Sequence, residues 1–123
     1  MITHPRAQEL ITAVARWIDH LRPDLDPRNA FLARVSANVL GVIGRELALG
    51  PAAEAAAVER LTVLLDYRGG FEELNADLCR RLRAGEMTAQ TPGLLAALKA
   101  NVLDQLAIDQ PNYRHEGSPP ADP

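Results

Sequence analysis

The chain has 123 residues, a formal charge of −3 and a single cysteine, Cys79. A chain of that length makes one domain able to bury about two thirds of its unfolded surface without staples. One cysteine excludes an intrachain disulfide framework, and the absence of a basic block argues against nucleic acid, whose binding relies on clustered Lys and Arg. Hydrophobic residues make up 47% of the chain, and the many alanines and leucines favour helix over sheet, so the expected fold class is all-α. No apolar run approaches the roughly eighteen residues of a membrane span. No charged-then-apolar signal segment opens the chain. The expected compartment is therefore the cytoplasm, with no membrane contact.

Taken in order, Thr3 to Leu21 reads as an amphipathic helix with Leu10, Ile11, Val14, Trp17, Ile18 and Leu21 on one face. A turn containing Pro23 leads into the central stretch, PRNAFLARVSANVLGVIGRELAL, a helix over 27–49. Asp26 caps it, Pro27 occupies its first turn, and Gly50–Pro51 supplies the stop. At about 100° per residue, Phe31, Leu32, Val35, Val39, Leu40, Val42, Ile43 and Leu47 fill one half of its wheel, which the pattern assigns to the core. Ala33, Ala37, Gly41, Gly44 and Ala48 form a small-residue strip. A narrow sector carrying Arg34, Asn38 and Arg45 is the only plainly polar part.

A third helix is expected from Pro51 to Asp66, with Val58, Leu61, Leu64 and Leu65 inward, and a turn at 67–70 follows. Phe71 to Arg83 reads as a fourth helix, ended by Gly85. Thr91 and Pro92 are expected to start a fifth helix that runs to about Asp109. The sequence thus predicts a five-helix antiparallel bundle around the central helix. Residues 1–113 form the domain, and 114–123, rich in proline and polar residues, form a disordered tail.

Chemistry is sparse. His4, His20 and His115 do not share a helix face at ligand spacing, so no metal site and no cofactor are expected. Cys79 sits beside Leu78 as a small core residue. Glu72 and Glu73 suit the positive end of a helix. Arg80, Arg81 and Arg83 make either a solvated helix end or, less in keeping with their place, an anion patch. No phosphate loop or catalytic triad is present, and an enzyme in its own right is not expected. The two glycines inside the central helix cost about 1 kcal/mol each relative to alanine and need a reason. Either a neighbouring helix of the same chain approaches closely there, or Gly41, with Arg34, Asn38 and Arg45, forms a partner-binding strip.

Three segments carry a family resemblance: RVSANVLGVIGRELALG, LNADLCRRLRAGEM and LAIDQPNY. In joint order and spacing they resemble a bacterial family of small all-α proteins associated with aminoglycoside-phosphotransferase-like kinases and acyl-CoA dehydrogenases. The small accessory subunit of the hydroxyacyl-CoA kinase of levulinate catabolism is similar to it. The resemblance implies a non-catalytic helper to a kinase that itself carries ATP and the transfer residues. It carries over no functional residues. Asn75, Asn101, Asp109, Asn112 and Tyr113 join the strip as secondary candidates on their chemistry. Two other readings stand beside it: a structural module that self-associates through the Ala/Gly strip, and a bundle holding a small ligand between its helices.

Overall fold

The computed structural model describes residues 3–120. Its elements are α1 (Ala7–Leu21), a 3-10 turn (Arg22–Asp24), α2 (Pro27–Leu65), α3 (Phe71–Ala84) and α4 (Leu94–Asp109), with no strand among the described residues. The chain is all-helical, as its composition predicts. It has four α-helices rather than five, because α2 runs unbroken through Gly50–Pro51.

That expected stop is the main correction. Proline disfavours a helical residue before it by clashing with that residue's N–H and Cβ, and Gly50 lacks the Cβ. An interior proline still costs about 3 kcal/mol, but the long helical flanks and the alanine-rich run after Pro51 carry the helix on. The result is one helix of 39 residues to which the other three attach.

The other boundaries follow local chemistry. α1 starts at Ala7, later than expected, where Glu9 accepts the Arg6 N–H at 2.8 Å. Asp26 caps α2 by accepting from the Asn29 N–H at 3.3 Å. Asp66, left-handed with φ 62°, ends α2, and Gly85, with φ 75°, ends α3. Thr91 does not cap α4. Its hydroxyl accepts the Thr88 N–H at 2.9 Å, closing a turn, and α4 begins three residues later at Leu94.

α1 folds back antiparallel along the first half of α2, while α3 and α4 pack on its second half. This is two unequal assemblies on one shaft, not a bundle closed around a central helix. The core lies in the second: Leu61, Leu65, Leu74, Leu78, Met87 and Leu94 are buried together, with Val58, Leu64, Tyr67, Phe71 and Leu98 packed on them. The inward face expected for 58–65 is therefore observed. The core assignment upstream is not. Phe31 is 65% exposed and Val39 52%, and Leu32, Val35, Ile43 and Leu47 are also open. Periodicity identifies an apolar face but not whether the same chain covers it. Cys79 is half-buried.

The described part of the tail, 114–120, is irregular, and its hydrogen bonds close within it, as from Arg114 to the Pro119 carbonyl at 2.6 Å. Residues 121–123 of the expected disordered tail, and 1–2 of the expected domain, lie outside the described residues. Among the described residues, no helix is long and apolar enough to cross a membrane.

Candidate functional site

The small-residue strip of α2 faces α1. A Cβ built on Gly44 would lie 3.6 Å from Ile11 Cγ2. The shallow groove between the two helices is lined on α2 by Gly41, Gly44, Arg45 and Ala48, and on α1 by residues that include Thr12 and Arg16. α1 thus packs over Gly44 at a distance that leaves room for a methyl group but not for a larger side chain. It also means that the Ala/Gly strip is occupied from within.

The polar sector divides. Arg45 is half-buried and its Nε donates to the Ile108 carbonyl at 2.6 Å, joining α2 to the end of α4. Its guanidinium lies over Gly41, where a Cβ would come within 3.1 Å of Nη1. Arg34 and Asn38 are exposed and make no hydrogen bond or ion pair from their side chains among the described residues. Arg34 borders a depression with Arg22, Pro23, Leu25, Ala30 and Phe31.

The secondary candidates do not converge. Asn75 is exposed on α3. Asn101 accepts from Arg60 Nη1 at 3.0 Å, and the same nitrogen meets Asp104 Oδ2 at 2.8 Å. Asp109 accepts from Gln105 at 3.0 Å on its own helix. Asn112 and Tyr113 lie on the exposed turn after α4. Arg60 was missed in the sequence because nothing in its spacing announces the acceptors, which lie more than forty residues away on α4.

The arginines near the end of α3 do not form an open anion patch. Asp77 receives Arg80 at 3.0 Å, Arg81 at 3.1 Å and the Tyr67 hydroxyl at 2.9 Å. The Arg81 guanidinium, then the Tyr67 hydroxyl and Arg80, hold the Asp77 carboxyl below the usual carboxylate range. Burial, followed by the hydrogen bond to Asp77, pushes the Tyr67 phenol up. Arg83 donates to the Cys79 carbonyl at 3.3 Å, and Arg68 lies 3.8 Å from Glu59. A cleft of about 300 Å³ lies between α2 and α4, with Glu46, Glu54, Asp104 and Phe71 in its wall. Three carboxylates there repel a phosphate or a coenzyme A ligand. Among the described residues no group of three or more His, Cys, Asp or Glu is placed to hold a metal ion.

Large apolar side chains are exposed on both helices: Leu10, Val14 and Trp17 on α1, with Trp17 62% exposed, and a row on α2 that includes Phe31, Val35 and Val39. The polar edge of α1, with Thr12 and Arg16, lies on the Gly41–Arg45 side of the helix contact. Scattered exposed apolar residues are ordinary, but a row of them along one helix marks a surface suited to a protein contact.

A family model described as a domain of unknown function, DUF6285, matches residues 23–113, and the chain belongs to that family. No curated protein and no solved structure matches it.

Proposed function

We propose that this member of the DUF6285 family is a non-catalytic accessory subunit of an aminoglycoside-phosphotransferase-like kinase acting on a hydroxyacyl-CoA or related small molecule. The choice of partner rests on the resemblance of the three segments quoted above. The observation that carries a docking role is the surface of the first half of α2, apolar and open, with Arg34 and Asn38 at its edge. Burying such a face on another protein removes apolar area from water, the main driving force of association. Arg34 and Asn38 would supply the polar rim that fixes orientation. Arg45 would act indirectly, by holding α4 against α2.

The test is co-expression with the kinase of this type from the same genome. The complex should co-purify, and ATP-dependent phosphorylation of a hydroxyacyl-CoA should require both chains. R34E/N38D should keep its helical circular dichroism and weaken the complex by about tenfold or more, as expected for a charge reversed at a contact. A kinase fully active alone would refute the function. Unchanged affinity in the folded double variant would refute the site.

A further inference from the structure

We infer that the open face of α2 is covered by a second copy of this chain, packed antiparallel about a two-fold axis that crosses the helix at the level of position 37, between Val35 and Val39. The arc of α2 that carries the buried Ala57, Leu61 and Leu65 lies under α3 and α4. Upstream of Glu46, which borders the α2/α4 cleft, Leu32, Val35 and Val39 are exposed, and the pattern there has its own symmetry. Arg28, Leu32, Val35, Val39, Val42 and Glu46 recur at alternating steps of four and three, the heptad seam of one helix packed on another.

The seam is a palindrome in its chemistry. Arg28 and Glu46 each lie nine positions from Ala37, Leu32 and Val42 five, and Val35 and Val39 two. In an isologous contact residue i meets j while j meets i, so position 28 of one copy meets 46 of the other. Antiparallel packing therefore joins Arg28 to Glu46 at both ends and encloses an apolar middle. Parallel packing would set Arg28 against Arg28 and Glu46 against Glu46, which is unfavourable. Both residues are exposed and lack an ion pair among the described residues. A seam of this kind is roughly 27 Å long at 1.5 Å per residue.

The apolar residues of the seam itself are open: Leu32 is 48% exposed, Val35 42% and Val39 52%. The need is intrinsic to the fold as well. Of the ten buried apolar residues, only Ala37 precedes residue 50, so the α1/α2 hairpin has almost no core of its own. A second copy covers the side of α2 that α1 leaves open, whether or not any other protein is present. The inference does not rest on the kinase reading: it assigns the apolar seam to a second copy, is read with the chain alone, and leaves the exposed Arg34 and Asn38 beside the seam for another partner.

Sedimentation equilibrium of the full chain alone, from low to high micromolar concentration, tests it. The wild type should be dimeric, and Val39→Glu should be a monomer with unchanged helical circular dichroism. Arg28→Glu and Glu46→Arg should each raise the dimer Kd by about tenfold or more by setting like charges together at both ends. The double variant R28E/E46R should return to within about threefold of wild type, because every pair is opposite in sign again. A monomeric wild type, or a dimeric Val39→Glu, overturns the proposal. Single reversals without effect, or a double variant that stays weak, overturn the antiparallel seam. A wild type that is monomeric alone but loses the kinase on Val39→Glu assigns the face to the kinase. A kinase that binds neither form leaves the dimer measurement intact.

Discussion

The Arg45 side chain reaches across from α2 and donates its Nε proton to the Ile108 carbonyl at 2.6 Å. That carbonyl belongs to the last turn of α4, whose terminal carbonyls lack partners within the helix. A guanidinium suits the negative end of the helix dipole. Among the described residues this is the one hydrogen bond that ties the first half of α2 to α4. Replacing Arg45 with methionine keeps the apolar stem and deletes the donor. The expected loss is about 1–3 kcal/mol, read as a lower denaturant midpoint at fixed protein concentration, with faster amide exchange at the end of α4. Arg34→Met should stay within about 0.5 kcal/mol, as an exposed substitution does.

The unequal burial along α2 predicts a steep contrast within three residues. Leu61 is fully buried in the cluster with Leu74 and Leu78, whereas Val63 is 81% exposed. Leu61→Ala should cost about 2–5 kcal/mol. Val63→Ala should change stability by about 0.5 kcal/mol or less. Equal losses in chemical denaturation would mean that the second half of α2 has another face inward.

Gly44 gives a size-dependent test of the α1/α2 contact. A Cβ there would sit 3.6 Å from Ile11 Cγ2, an ordinary van der Waals distance. Gly44→Ala should therefore raise the melting temperature through helix propensity, by up to about 1 kcal/mol. Gly44→Leu has no such room and should push α1 away, lowering stability by about 1–3 kcal/mol. The opposite order in thermal melts would place α1 elsewhere.

Asp77 makes stability depend on acid. Its carboxyl is held below the usual range by Arg81 first, then Tyr67 and Arg80. A depressed carboxylate contributes stability that is complete above the unfolded value of about 3.9 and fades as pH falls through the folded one. Urea midpoints of the wild type should drop below about pH 4 more steeply than those of Asp77→Asn. Tyr67, shifted upward, acts at the other end. Its contribution is present below about pH 10 and is lost as pH rises through the raised value, so Tyr67→Phe should flatten the alkaline limb.

Much of the helical layout was legible because local rules set it. The Asp26–Pro27 start, the Phe71 helix closed by Gly85, the end near Asp109 and the inward run Val58–Leu65 each follow from caps, glycines or spacing. Pro51 was misread because proline acts with its neighbour, and Gly50 removes the Cβ that would have stopped the helix. Phe31 and Val39 were misplaced for a different reason. Hydrophobic periodicity marks a face suited to burial but does not say whether the same chain covers it, and here it does not. Of the proposed contact residues, Arg45 was recognisable as unusual, but its acceptor is a backbone carbonyl, which no side-chain pattern reports.

The unbroken passage of α2 through Pro51 has a mechanical corollary. At 1.5 Å per residue the helix is roughly 58 Å long, and Pro51 stands roughly 36 Å from its first residue. The α3/α4 end is anchored by packed leucines, and the Arg45–Ile108 bond ties α4 to α2 on the far side of Pro51, so a bend at Pro51 works against that bond. Proline lacks one rung of the helical ladder and is where bending is cheapest. Ten degrees of bend there swings the tip by about 6 Å, the distance of one helical turn.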